Sequence, residues 1–164
     1  MNPSYGLRRG VVTNVVDPLF LGRVQVRPDG HGDGRLSWAQ VCSPYAGDGV
    51  GLFAVPPMGA SVWIGFEDGD PDKAVVLGGF WGTQESPPGD GLPTTKAFAT
   101  DSVSVTVSDL PGAGGLTIEV GPPAVPVAMK LACTASGIEL SIGASKIVLS
   151  PTSVSVNDGA LEVT

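Results

Sequence analysis

Short bursts of alternating apolar residues between residues 103 and 163 restrict the possible folds more than any other feature of this chain. Alternation at every second residue is typical of a β-strand that buries one face. The last four bursts begin at residues 138, 147, 154 and 161, in steps of nine, seven and seven residues. Between them lie Ser, Gly, Asn, Asp and Pro, the residue types that turn a chain. The segment is therefore predicted to form short strands joined by tight turns.

Strands of this length bury too little apolar area to stabilise themselves. At roughly 25 cal/mol per Å² of buried apolar area, two inward side chains per strand do not offset the entropy lost on ordering. Such repeats become stable by stacking into a solenoid or by winding around copies of themselves. The steps are short for one coil of a single-chain solenoid and fit three chains that each supply one side of a triangular prism. We therefore predict a homotrimer whose core contains Ile138, Leu140, Ile142, Ile147, Leu149, Val154 and Val156.

The N-terminal part of the chain also reads as strands, with different spacing. The whole chain contains 24 Gly and 15 Pro residues, which disfavour helices. Its apolar content of 42% excludes a disordered chain. Five to six short strands without a helix suit a small closed barrel. The predicted strands are residues 10–16, 21–28, 36–44, 52–55, 61–67 and 74–81.

A Pro/Gly-rich stretch separates the two parts. GTQESPPGDGLPTTK (residues 82–96) has almost no large apolar side chains, and Pro-rich spacers are extended and semi-rigid. We predict a barrel over residues 1–82, a linker over 83–98 and a repetitive β-helix over 99–164. The expected fold class is all-β.

Charge and cysteine content limit the partners and the compartment. The formal charge is −7, with only nine Lys and Arg, whereas nucleic-acid binders carry basic patches; we expect no nucleic acid. Cys42 and Cys133 are predicted to be buried thiols in a reducing compartment. The sequence offers no signal-peptide pattern and no apolar run of roughly 20 residues, so we expect synthesis in the cytoplasm.

The stretch GFEDGDPDKAVVLG could be a calcium site, a catalytic acid cluster or a tight turn. An EF-hand loop ends in a bidentate Glu, whereas here Lys73 and a strand follow. Pro71 and Gly69 suit a turn, so we interpret the stretch as a hairpin turn. The carboxylates concerned are Glu67, Asp68, Asp70 and Asp72.

No other pattern predicts catalysis. His31 is the single histidine, and we interpret it as a solvated loop residue rather than a zinc ligand or a general base acting through Asp29 or Asp33. Nucleophile-elbow, phosphate-loop and dinucleotide patterns are absent from the sequence. We expect no enzyme activity and no catalytic, cofactor-binding or metal-binding residues. A set of aromatic residues could form a stacking platform for single strands or, as we prefer, the barrel core and its lid: Trp38, Trp63, Phe66, Phe80 and Trp81.

Three stretches in a fixed order carry a family resemblance. After Asp17-Pro18 come LGRVQV (residues 21–26), PPMGASV (56–62) and FEDGD (66–70). In this order and spacing the chain resembles, over residues 5–82, the central spike proteins of contractile injection systems: the phage baseplate assembly protein V family and the valine-glycine repeat spikes of type VI secretion. Many relatives have proline where this chain has Ala74.

The resemblance implies an OB-fold followed by a trimeric, triple-stranded β-helical needle. It implies a structural role at the centre of a baseplate in a phage or phage-tail-like particle, where sheath contraction drives the needle into a target envelope. A separate hub protein would meet the barrel, alongside other baseplate components. A PAAR-type tip protein would sit on a platform formed by Leu161, Glu162, Val163 and Thr164.

Two other readings compete with a spike. One is a free-standing trimeric OB-fold module that binds nucleic acid or oligosaccharide; the acidic charge disfavours nucleic acid as its ligand. The other is a small trimeric hydrolase that uses clustered Asp residues, which the lack of a nucleophile or metal pattern disfavours. Within the spike family, the sequence leaves the kind of contractile machine open.

Overall fold

The computed structural model describes residues 5–30 and 38–163, and the chain divides between Glu85 and Ser86 into two compact units. Every regular element of any length in the described residues is a strand; the one helical segment is a 3-10 turn at Glu67–Gly69. The all-β prediction is confirmed. Among the described residues, no helix has the length and hydropathy to cross a membrane.

The first unit is a closed five-stranded barrel. Its strands are β1 (Arg8–Asn14), β2 (Val24–Pro28), β3 (Trp38–Val41), β6 (Ser61–Phe66) and β7 (Ala74–Gly79). They close in the order β1-β2-β3-β7-β6, and all neighbours are antiparallel except β3 and β7. A two-stranded hairpin, β4 (Ala46–Gly47) and β5 (Val50–Gly51), lies between β3 and β6.

Small aliphatic side chains fill the barrel. Alternate residues of β1, β2, β6 and β7 point inward, as a half-buried strand requires. The buried cluster consists of Val12, Val24, Val26, Ala39, Val62, Ile64, Ala74 and Val76. Of the aromatic residues predicted for the core, only Phe66 packs against this cluster, and it is partly buried. That prediction was wrong because the interior of a five-stranded barrel is narrow and the strands direct the tryptophans outward.

Segment 52–55, predicted as a strand, forms none. The Leu52 N–H donates to the Tyr45 carbonyl beside the β4–β5 pair, and no further strand pairing follows among the described residues. Leu52 and Phe53 are exposed, and the chain follows an extended course into Pro56-Pro57. An apolar run becomes a strand only where a neighbour supplies ladder hydrogen bonds, and Pro56 and Pro57 have no N–H to donate.

The second unit is one antiparallel sheet of eight strands, in which each strand pairs only with its neighbours in sequence. Its strands are β8 (Thr95–Ala99), β9 (Val103–Ser108), β10 (Gly115–Val120), β11 (Met129–Thr134), β12 (Gly137–Ile142), β13 (Ser145–Leu149), β14 (Val154–Val156) and β15 (Leu161–Val163). Strand β8 occupies the end of the range predicted as a linker. The sheet is a simple meander.

The cysteines are not buried as predicted. Cys42 is exposed because it lies just beyond the end of β3, although its N–H still donates to the carbonyl of Val76. Cys133 is half-buried on β11. Neither forms a disulfide.

Candidate assembly surfaces

The eight-stranded sheet carries its apolar side chains on one face, in rows that cross the strands. Directly opposed residues of an antiparallel pair point to the same face, so the strand register defines these rows. The central row consists of Phe98, Val105, Ile118, Leu131, Leu140, Ile147, Val156 and Leu161. A flanking row consists of Val107, Leu116, Cys133, Ile138, Leu149, Val154 and Val163.

Among the described residues of its unit, none covers this apolar face. Six of the seven predicted core residues are 39–54% exposed, and the seventh, Val156, is half-buried. The face forms a groove of about 560 Å³ lined by side chains such as Ile118, Leu131 and Ile147. An apolar surface of this size marks a contact with another molecule.

The opposite face of the sheet is polar and mixed in charge. Register places Lys130 between Glu119 and Ser141, and Lys146 opposite Ser141 on the other side. The Lys146 ammonium lies 2.5 Å from the Asp158 carboxylate, which raises the pKa of the lysine. The Ser141 hydroxyl donates to the Glu139 carboxylate at 3.3 Å. Such a face suits water, so the sheet is two-sided.

On the barrel, a single carboxylate organises the loop between β1 and β2. The Asp17 side chain is almost fully buried and accepts hydrogen bonds from the backbone N–H groups of Leu19 (3.0 Å), Leu21 (3.0 Å) and Arg23 (3.2 Å). The Arg23 guanidinium donates to the same carboxylate through Nε at 3.1 Å and Nη2 at 2.7 Å. We call this arrangement the Asp17 clamp.

The clamp also fixes the charge of its members. The Arg23 guanidinium, supported by the three N–H groups, holds the pKa of Asp17 well below its usual range, although burial acts in the opposite direction. The paired carboxylate in turn raises the pKa of Arg23. Charge-assisted hydrogen bonds of this kind are stronger than neutral ones. The clamp joins two stretches that carry the resemblance, Asp17-Pro18 and Gly22-Arg23-Val24, in one loop.

The stacking platform, the alternative that we disfavoured for the aromatic residues, does not form as one surface. The ring centroids of Trp63 and Phe80 lie 5.1 Å apart. The Cζ atom of Arg9 lies 5.2 Å from the centroid of the Trp63 ring and 5.1 Å from that of the Phe80 ring. Trp38 instead lies 5.6 Å from Arg23. The aromatic groups are therefore divided between separate clusters and do not offer the continuous row that stacks successive bases.

The acidic stretch is a turn between β6 and β7. The Asp70 N–H donates to the Glu67 carbonyl and the Lys73 N–H to the Asp70 carbonyl, and Gly69 has a φ of 75°. Among the described residues, no group of three or more His, Cys, Asp or Glu side chains is arranged to hold a metal ion. His31 and Asp33 lie outside the described residues.

The residues predicted as a tip platform belong to the edge strand of the sheet. Leu161 and Val163 on β15 are 62% and 63% exposed. Thr164 lies outside the described residues, and of Glu162 only the backbone position in β15 is described. No pattern in the sequence indicates the Asp17 clamp, because six residues separate Asp17 from Arg23 and only the folded loop brings them together.

Two family models match the two units. Residues 8–81 match the type VI secretion system/phage-baseplate injector OB domain, and residues 96–162 match the phage baseplate V C-terminal trimerisation domain. The chain belongs to the phage baseplate V family. Membership identifies the five-stranded barrel as the OB domain and the eight-stranded sheet as the trimerisation domain.

Curated relatives agree with this assignment. The chain is 40% identical over 62 residues, 35% of its length, to the type VI secretion system spike protein VgrG4b of Pseudomonas aeruginosa. It is 36% identical over 86 residues, 51% of its length, to the spike protein VgrG5 of the same organism. The matches cover 8% and 10% of those relatives, so the chain spans about a tenth of the curated relatives it matches. The matched family models describe structural baseplate domains, and both curated relatives are spike proteins.

Proposed function

We propose that this chain is the central, envelope-puncturing spike of a contractile injection system and acts as a homotrimer. The observation that supports the proposal best is the apolar face of the trimerisation domain, which runs across all eight strands and which none of the described residues of its unit covers. Three copies that direct this face toward a common axis would remove it from water. The Ile138–Val156 residues predicted as the needle core would then lie in the interior.

The proposed mechanism is mechanical. Backbone hydrogen bonds join the eight strands of each copy, and the two other copies would cover the apolar face. Each side chain in that interior would be packed between its neighbours, so the assembled sheets would resist bending. A sheath that contracts could push such a body through an envelope without bending it. No chemical step by the chain is required.

We further propose that the spike joins a hub to a tip. The barrel would contact a separate hub protein of the baseplate. Strand β15 is one of the two edge strands of the described sheet, and an edge strand presents unpaired N–H and C=O groups that a partner can use. Leu161, Glu162, Val163 and Thr164, from three copies, would form the platform for a PAAR-type tip protein. The assembled protein would be part of a phage or phage-tail-like particle.

Light-scattering mass of the purified chain tests the trimer. Three copies of 16.6 kDa give about 50 kDa. Because a shared apolar face holds the copies together, a chain that ends near Gly82 should be monomeric. A full-length chain that stays monomeric at micromolar concentration would contradict the proposal.

Truncation tests the tip platform. Removal of residues 151–164 deletes β14 and β15 and should abolish binding of a PAAR-repeat tip protein in a pull-down, while the barrel stays folded by circular dichroism. Replacement of exposed Tyr45 by Ser in the barrel is the matched control and should leave tip binding unchanged. Unchanged binding by the truncated chain would contradict the platform.

A further inference from the structure

The loop held by the Asp17 clamp presents three consecutive apolar residues to solvent. Leu19, Phe20 and Leu21 are 60%, 92% and 66% exposed. Phe20 has a φ of 56°, in the left-handed region that non-glycine residues seldom adopt. The Asp17–Arg23 ion pair and an unfavourable backbone conformation therefore hold the Phe20 side chain in solvent. Packing within the barrel does not explain this arrangement, and strained backbone conformations of this kind occur at functional sites.

Phe20 forms part of a larger apolar surface on the barrel. A groove of about 480 Å³ runs between the Phe20 loop and the segment after β5. We define the Phe20 patch as the apolar residues of that groove: Val15, Val16, Phe20, Phe53, Val55, Pro56 and Pro57. The two segments touch, since a Cβ on Gly22 would lie 2.5 Å from the Phe53 ring.

The area of the Phe20 patch indicates a protein contact. Val16 and Phe53 are 77% and 79% exposed. With roughly 150–250 Å² for a whole aromatic side chain, the patch presents on the order of 500 Å². That lies within the roughly 300–600 Å² of the largest patch on a typical monomer, which is often functional, and below the roughly 800 Å² per partner of a stable interface.

Charge favours a second copy of this chain as the occupant. Each copy carries a formal charge of −7, so copies repel one another except where they meet through a neutral surface. Segments 15–23 and 52–58 contain only two charged residues, Asp17 and Arg23, and these neutralise each other at 2.7 Å. The same acidic charge disfavours anionic membranes, which attract basic rather than acidic proteins.

We propose that the Phe20 patch is a contact between the barrels of different copies within the homotrimer. The inference rests on the proposed trimer. Trimerisation through the sheet raises the effective concentration of the three barrels to about the millimolar range, so a modest apolar contact suffices to join them. The Asp17 clamp then serves assembly: it fixes the loop so that Phe20 loses little freedom on docking.

Photo-crosslinking in the full chain tests the contact. Phe20 is replaced with p-benzoylphenylalanine, and trimers reconstituted from unlabelled and 15N-labelled chains are irradiated. We expect covalent dimers whose crosslinked peptides join position 20 to residues 15–23 or 52–58 of another copy. The same replacement at Tyr45, which is 63% exposed outside the patch, is the control and should give at least ten-fold less dimer. With the crosslinker at Phe53, Phe20→Asp should remove most of the dimer.

The outcomes separate this contact from the trimer itself. A trimeric mass without crosslinks above the Tyr45 control would overturn the barrel contact alone. A monomeric mass would overturn the trimer and this contact with it. Crosslinks from position 20 to a hub protein in place of a second copy, in whole particles, would also overturn it. Sedimentation of the chain with phosphatidylglycerol vesicles, if it required Phe20, would indicate that the patch binds lipid and would also overturn the contact between copies.

Discussion

Asp17 and Arg23 show how two residues of a family signature act through one loop. In the sequence, Asp17-Pro18 reads only as the end of a strand, and Arg23 only as the outward residue of the next. In the structure the Asp17 carboxylate accepts five hydrogen bonds from three residues of the loop and its end. A periodicity argument detects which face a strand buries, but it contains no information about a loop that folds back on a side chain.

The Asp17 clamp predicts a specific acid sensitivity. The pKa of Asp17 lies below its ordinary value of 3.8 in the folded chain, so its stabilisation is complete above about pH 5 and is lost as the pH falls below 3.8. Asp17→Asn should therefore lower the midpoint of thermal unfolding at pH 7, and the difference from the wild type should shrink toward pH 2.

Calorimetry over this pH range measures the effect. Asp48→Asn, which makes the same charge change in the exposed turn between β4 and β5, is the control and should leave the midpoint at pH 7 unchanged. A difference between Asp17→Asn and the wild type that persists undiminished at pH 2 would contradict the clamp.

Gly137 predicts a second local effect. Its φ is 129°, and a Cβ there would overlap the backbone carbonyl of Leu149 on β13. Gly137→Ala should destabilise the sheet by about 1–3 kcal/mol, the usual cost of a strained backbone position, in denaturant unfolding. Gly121→Ala, where a Cβ meets nothing within 4 Å, should change stability by less than about 0.5 kcal/mol. Equal effects of the two substitutions would contradict this reading.

At the scale of elements, the apolar alternation predicted the strands from β9 to β15 but not β8. TKAFA lies next to a Pro/Gly-rich stretch and has one large apolar residue, Phe98, so its own pattern is weak. It becomes a strand because β9 offers a complete register from Ser104 to Ser108. The β4–β5 hairpin was missed for a similar reason: two residues per strand carry no periodicity.

The two-sided sheet predicts opposite effects of neighbouring substitutions. Leu140 lies in the central row of the apolar face, and Ser141 lies on the polar face between Lys130 and Lys146. Leu140→Asp would bury an unpaired carboxylate in the trimer, which costs several kcal/mol, and should weaken trimer formation at least ten-fold in analytical ultracentrifugation. Ser141→Asp loses the hydrogen bond to Glu139 but gains two lysine neighbours, and because its side chain stays on the polar face it should leave the trimer intact. If both substitutions dissociate the trimer, or if neither does, the placement of Leu140 on the trimer interface and of Ser141 on the polar face is contradicted.

At the scale of the whole molecule, the sequence predicted two parts of different character, and the chain divides between Glu85 and Ser86. The prediction came from composition: a stretch without large apolar residues has little to bury. What the sequence leaves open is how the barrel surfaces are used, because exposed residues such as Phe20 and Phe53 look like core residues until a structure shows them in solvent.

Assembly through the sheet predicts that stability depends on concentration. Unfolding of a trimer releases three chains, so the midpoint rises with protein concentration by mass action. The thermal transition of the sheet should shift upward by several degrees between 1 and 100 µM, followed by circular dichroism. Leu140→Asp provides the comparison, since its weakened trimer should melt lower at both concentrations. A midpoint independent of concentration would indicate that the sheet is stable as a single copy.

The meander also makes length a quantity that can change by fixed steps. Each strand of β8–β15 pairs only with its neighbours in sequence, so duplication of one hairpin together with its preceding turn, such as residues 135–149, adds two strands and returns the chain in its original direction. With roughly 4.8 Å between neighbouring strands, the sheet would grow by about 10 Å per added hairpin. The rows on the apolar face would continue through the insertion without a change of face. The number of hairpins in the sequence therefore sets the length of the sheet, which can increase or decrease without a change to the strands at either end.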